Sequence, residues 1–495
     1  MKNIIIFLQN KSLSFIVTLF IATISFVLLD CSNQKPAKIP VTTKSEVALE
    51  YYNDGLLLSE KLRGQEAVYF YLKALAEDNE FAMAYLQMAQ VQTTPKLRYK
   101  YLAKAKFFIN DVSDGEKLLI LAAEAGANKE HEKQYNYYNK LIDQYPNDER
   151  SQNIYANFLF NLQKYKKAIT HYEIALNINP NFSQPYNMLG YSYRRLGDFQ
   201  QAEIYFKKYI DLIKDDPNPY DSYAELLLKM GKFEASMDYY RKALEIKPDF
   251  IASIVGIASN LILLDRHEDA CKELERIETI STNPGDLKHM HYAKAVANID
   301  IDNFERAFKE LRENISISKS IDDNLALGDD LINLGNVYLM YEKPDDALKY
   351  YDKSLEYFER SNISQDLKYY VRRQLFVNAG RVAFYNEDVN TLKKYTEKYK
   401  SSAQKTMNPN EIRSAHELTG YIYLLEDNLP KAIYELKQAN QQNPIILYLI
   451  GTAYEELGDD IDKAYQIYDS VVHFNSLNDM NYAFIRKTAL AKLNN

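Results

Sequence analysis

The chain has 495 residues, 46% of them hydrophobic, with only 15 Gly and 14 Pro, so it can bury a long continuous core built from helices with few loops. Its net charge of −8 and pI near 5.6 oppose a phosphate-binding footprint and argue against nucleic acid as a partner. No stretch sustains period-two alternation, and no sheet is expected.

At the N-terminus Lys2 and Lys11 precede an uncharged run over residues 12–29, SLSFIVTLFIATISFVLL. It is long enough for an export signal and borderline for a membrane span. Leu28, Leu29, Asp30, Cys31 and Ser32 follow directly. This junction resembles a bacterial lipoprotein signal, which implies a signal peptide over 1–30 and a lipidated Cys31 as the first residue of the mature protein. Asp30 departs from the small residue usual at that place, so an uncleaved inner-membrane signal anchor stays open as the alternative. Ser32, where an acidic residue would signal retention, implies the outer membrane if the bacterium has two. The next stretch, NQKPAKIPVTTKS, holds two Pro and three Lys with little apolar content, so residues 31–45 read as the lipidated Cys and a flexible tether. The only other Cys is Cys271, which leaves a lipidated monomer without an internal disulfide.

From residue 46 onward a small side chain recurs at Gly55, Ala89, Ala122, Ala156, Gly190, Ala224 and Ala258, at intervals of 33 or 34 residues. A period of this length predicts stacked helical hairpins. Three units starting at Glu149, Ser183 and Pro217 are near in-register copies. In each, the first helix carries a small residue at position 8 and a bulky one at position 11 (Leu159, Tyr193, Leu227). The second helix answers with a small residue at position 20 (Ala168, Ala202, Ser236) and an aromatic at position 24 (Tyr172, Phe206, Tyr240). Gly197 and Gly231 suit the left-handed turn that ends a first helix, and Pro180 and Pro248 close a second. At these residues the chain resembles the tetratricopeptide repeat family, without the Trp of that pattern. The resemblance implies an all-α, right-handed solenoid. Looser copies at Ala295, Gly335, Gly380, Gly420 and Gly451 bring the count to twelve, with the units around 92–109 and Gly380 matching least. A regular array is expected over 46–284, a longer-period array over 285–475 after a joint at 283–286, and a capping helix over 476–495. Most of the 42 Tyr residues are expected as filler between helices.

Positions 2, 5, 9 and 12 of a first helix share one stripe, and the resemblance implies that this stripe lines the concave face. It offers Arg150, Asn153 and Asn157, then Gln184, Asn187, Tyr191 and Arg194, as a candidate groove for peptide backbone or carboxylates. Asp221 and Glu225 turn the next unit acidic. Around Ala258 the stripe becomes apolar with Ala252, Val255, Ser259 and Ile262, fit either for a partner helix or for a neighbouring turn of the solenoid. Glycine-rich phosphate loops, HExxH, CxxC and nucleophile-elbow motifs are missing from the sequence. His267 and Cys271, four apart, read as ordinary helix residues and not as metal ligands. No catalytic residue, cofactor or metal is expected. The expected function is a non-enzymatic protein-binding scaffold or adaptor of the bacterial cell envelope, anchored to the membrane by lipid, with protein or peptide partners. The alternative is a peptide-sensing regulator that acts through a change of solenoid shape.

Overall fold

A computed structural model describes residues 38–494 apart from 282, 404, 405, 407 and 459. The expected signal peptide over 1–30 and the lipidated Cys31 lie outside the described residues. Twenty-five α-helices and no strand occur among them, arranged as twelve antiparallel pairs and a last single helix. The first six pairs are α1–α2 (Glu46–Glu60, Gly64–Glu77), α3–α4 (Ala82–Val91, Pro95–Phe107), α5–α6 (Asp114–Ala127, His131–Gln144), α7–α8 (Glu149–Asn161, Tyr165–Ile178), α9–α10 (Ser183–Arg195, Phe199–Leu212) and α11–α12 (Pro217–Lys229, Phe233–Ile246). The next six are α13–α14 (Ile251–Leu263, His267–Ile280), α15–α16 (Pro284–Ile299, Phe304–Ser320), α17–α18 (Asn324–Met340, Pro344–Arg360), α19–α20 (Gln365–Tyr385, Val389–Ala403), α21–α22 (Pro409–Leu425, Leu429–Gln438) and α23–α24 (Pro444–Leu457, Ile461–Val472), followed by α25 (Met480–Asn494). The two weakly patterned units are hairpins like the rest.

The period arises from one packing rule. A position-8 residue lets a position-24 ring lie against the backbone of its partner helix: a Cβ on Gly55, Gly190 or Gly335 would come within 2.7 Å of Tyr71, Phe206 or Tyr351. The rings of Tyr71, Tyr172 and Tyr351 are fully buried, and each removes on the order of 200 Å² from water, about 5 kcal/mol as an upper figure. Their hydroxyls are satisfied by the first helix, through Ser59 (2.8 Å), Asn157 (2.7 Å) and Asn336 (2.8 Å). Gly197 and Gly231 take φ of 80° and 72° at the turn inside the hairpin, and the equivalent turns use Leu62, Lys129, Gln163, Asp265 and others at positive φ.

First helices of successive hairpins pack on one another, as in α7 with α9, α9 with α11 and α11 with α13, whereas no pair of second helices packs to that extent. The stack therefore curves with its first helices inside. It curves far enough to meet itself. The turn after α1 reaches the sixth and seventh hairpins, where Arg63 lies 3.8 Å from Asp216 and Lys247 3.6 Å from Glu66. Thr93 donates to Asn283 (3.1 Å), the Lys96 backbone N–H to Asp323 (2.9 Å), Ser364 to Asn128 (2.7 Å) and Arg195 to Gln442 (2.7 Å). One edge of the first turn is thus docked on the opposite edge of the second.

One expectation changes. Residues 38–45, assigned to a flexible tether, are docked: the Ile39 N–H donates to Asp148 (3.0 Å), Thr42 bonds Glu116 through both its backbone N–H and its hydroxyl, and Thr43 donates to Asp78 (2.6 Å). Their composition gave no hint of these partners, which are acids at or near the ends of helices in this and later hairpins. The joint at 283–286 is braced by Thr93, Asn283 also donating to Gln65 (3.4 Å).

Candidate functional site

The inner wall from α7 to α11 carries every groove residue expected from the sequence. Adjacent first helices run parallel with an offset of one helical turn, so a side chain faces the residue 31 positions later. Asn153 donates to Gln184 (2.6 Å), Tyr191 to Ser222 (3.3 Å) and Arg194 to Glu225 (3.0 Å). Asn157 instead accepts from Tyr172 within its own hairpin. Arg150 is drawn out of the row, its guanidinium donating to Glu60 at the end of α1 at 2.6 Å. Asn153 and Asn187 are only 2% exposed, each with a carboxamide oxygen that lacks a partner. Gln184, Asn157, Tyr191 and Arg194 are half-buried.

Besides the two unpaired oxygens of Asn153 and Asn187, the ladder leaves donors free among the described residues. Gln184 and Asn157 use their oxygens within the protein, which frees both NH₂ groups, and Arg194 commits one N–H of its fork to Glu225. The Arg194 guanidinium also lies 4.6 Å over the Tyr191 ring, itself held edge-on by Phe206. This arrangement can grip carbonyls or carboxylates of an extended chain.

Below the donors lies an acid the sequence marked only as a charge. Asp221 is 5% exposed and accepts from Ser253 at 2.7 Å. Burial, together with the nearby Glu225 carboxylate, pushes its carboxyl up to about 8.

The apolar stripe of the seventh hairpin is covered by the protein itself. Val255, Ser259 and Ile262 are buried, with residues 476–483 lying over Ser259 and Ile262, while Ala252 at the start of the stripe is exposed. Of the two readings open in the sequence, packing within the solenoid is the one realised. The last helix therefore does more than cap the end. Arg486 on α25 forks onto Asp300 (2.9 and 2.7 Å) and reaches Asp265 (3.0 Å), while His267 bonds Asp300 at 2.7 Å. The oxygens and ring nitrogen of Asp265, His267 and Asp300 lie within 4.8 Å of one another, a spacing a cation could use, but the guanidinium already supplies the positive charge. His267 pairs with Asp300, and the Cys271 thiol, pushed up by burial, joins no such cluster among the described residues.

A second recess of about 540 Å³ opens beside α25, with Phe304, Tyr341, Phe384, Tyr421, Tyr448 and Phe484 among its walls. No local sequence pattern marks it, since these rings come from five hairpins and the final helix.

Tetratricopeptide repeat family models match residues 149–182, 183–216 and 218–250, and a further one matches 446–473. These units are tetratricopeptide repeats. Such repeats generally serve as protein-interaction scaffolds. The array is similar to a tetratricopeptide repeat protein from Parabacteroides merdae (14% identity, 55% of this chain and 94% of that one, TM-score 0.36). It is also similar to PilW, described as a widely conserved type IV pilus biogenesis factor (15%, 46% and 96%, 0.32), and to MamA from Desulfovibrio magneticus (15%, 34% and 96%, 0.29). No relative is found among curated protein sequences. Among the described residues, no helix is long and apolar enough to cross a membrane.

Proposed function

We propose that this protein is a non-enzymatic scaffold of the bacterial cell envelope that holds an extended segment of a partner protein along the inner wall of its repeats. The observation that carries the reading is the donor stripe. Asn157, Gln184 and Arg194 stand at related positions of neighbouring repeats with acceptors spent and donors free, the complement of a peptide's carbonyls and carboxylates. The lipoprotein-like junction at Cys31 supports an anchor in the outer membrane, or in the inner membrane if the segment is not cleaved. One lipid chain binds only marginally, so stable anchoring calls for more than one acyl group, each buried methylene adding about 0.8 kcal/mol.

In-cell crosslinking with mass spectrometry tests the reading, run on the native chain and on a variant with Asn157→Ala, Gln184→Ala and Arg194→Gln. A specific envelope protein captured by the native chain and lost from the folded variant is the expected result. Equal capture by both removes the inner wall from the account. Cys31→Ser, followed by membrane fractionation, should release the protein from membranes; retention would favour the uncleaved anchor.

A further inference from the structure

The second helix of the second hairpin, α4, has the sequence PKLRYKYLAKAKF, with five Lys or Arg and no acid in a chain of net charge −8. Most second helices here mix both signs, as a solvated face does. α4 stands where the two turns of the superhelix face each other, and it forms one wall of a cleft of about 920 Å³ whose other walls are Glu124 and Asn128, residues 322–325 with Asp322 and Asp323, and residues 360–364 with Arg360. Part of its charge is already answered. Lys96 bonds Asp322 (3.1 Å) and the carbonyl of the same residue (2.8 Å), holding the walls together, and Lys106 pairs with Glu124.

Lys100 and Lys104 are different. Both are exposed and line the cleft, and among the described residues neither has a carboxylate partner. They stand four apart, so they share a helix face and repel one another. Phe107, three residues further, lines the same cleft with 77% of its surface exposed, the most of any large apolar side chain described.

We infer that this inter-turn cleft is a second protein-binding site, for an acidic peptide segment with at least two carboxylates followed by apolar side chains. The carboxylates would pair with Lys100 and Lys104, and the apolar group would cover Phe107. Charge complementarity selects the ligand, and shape selects its class: the basic face looks into a cleft with a protein wall opposite, where a strand of peptide fits and a flat lipid surface does not. The inference goes beyond the inner-wall reading and uses none of its residues.

The test is fluorescence anisotropy of the full chain with a labelled peptide of sequence Gly-Asp-Glu-Asp-Leu-Phe-Gly, at low and at physiological salt. Binding should weaken at least about tenfold in Lys100→Glu, Lys104→Glu, the equivalent of roughly 1.4 kcal/mol, and should fall with salt. It should be unchanged in the Gln184→Ala, Arg194→Gln variant, so failure of the inner-wall reading leaves this one standing. Phe107→Ser should weaken the peptide but not a version with Gly in place of Leu and Phe. Circular dichroism and thermal unfolding confirm that the exposed substitutions leave the array folded. No measurable binding, or binding indifferent to both lysines, overturns the inference. So does tighter, lysine-dependent binding to phosphatidylglycerol vesicles that the peptide does not displace.

Discussion

Leu62 occupies the turn within the first hairpin at φ 59°, in the place that Gly197 and Gly231 hold later in the array. A left-handed L-residue costs about 1–2 kcal/mol, and Leu62 is 54% exposed, so little burial offsets it. Leu62→Gly should therefore stabilise the protein, by about 0.5 kcal/mol once the greater freedom of glycine in the unfolded chain is subtracted; thermal unfolding measures this. The left-handed turn was legible in the sequence at the two glycines and hidden at Leu62, Lys129 and Gln163, because there the hairpin imposes the conformation against residue preference. Asp221 offers a second residue-scale prediction. Its carboxyl titrates near 8 in the folded state against the usual 3.8, so between those values the folded protein holds a proton that the unfolded chain does not. Its contribution is greatest at low pH and declines as pH rises through about 8. Asp221→Asn should remove that alkaline loss, and denaturant unfolding at pH 6 and pH 9 should show a smaller difference than in the native chain. The candidate groove residues were legible as a stripe. Their mutual pairing was not, because the 31-residue offset that joins Arg194 to Glu225 depends on how neighbouring helices slide. Glu225 looked like an interruption of the basic stretch and is in fact its partner.

At the scale of the element, the helix pairs follow from small residues facing rings. Ala202 is fully buried beneath the second hairpin helix it belongs to, and Ala202→Leu would drive α9 and α10 apart at a cost of roughly 1–3 kcal/mol, lowering the unfolding temperature. An unchanged transition would mean that the register is misassigned. The last helix is held by charge as well as packing. Arg486 is half-buried against the buried Asp300, whose carboxyl His267 and Arg486 hold below its usual range despite burial. Removing one partner of a buried pair leaves a charge without its counterion, which costs about 3 kcal/mol. In Arg486→Gln, hydrogen exchange across α25 should accelerate while α7 to α10 stay protected. Because the Asp300 value is depressed, its contribution is complete above the unfolded carboxylate value near 3.8 and is lost as pH falls through the folded one. The capping helix expected over 476–495 has Tyr482, Ile485, Ala489 and Leu493 at helical spacing, the first three buried and Leu493 half-buried. Its reach back to the seventh and eighth hairpins was not legible, since no local pattern encodes a partner 186 positions away.

The whole molecule is where sequence reading stops. Repeats of 34 residues predict a stack, but how tightly it coils depends on small rotations summed over twelve hairpins, and local spacing does not reveal the sum. The longer units after residue 284 read as a second array that follows a joint. The contacts of Thr93, Lys96, Asn128 and Arg195 with loops up to 247 positions away instead close two turns into one body. Closure keeps the inner wall and the inter-turn cleft preformed, so a partner segment does not have to order the scaffold as it binds. Small-angle scattering of the full chain tests this most directly. A single closed two-turn shape, unchanged between low and high salt, is the predicted result; an extended solenoid, or a profile that requires two bodies hinged near residue 284, would contradict it.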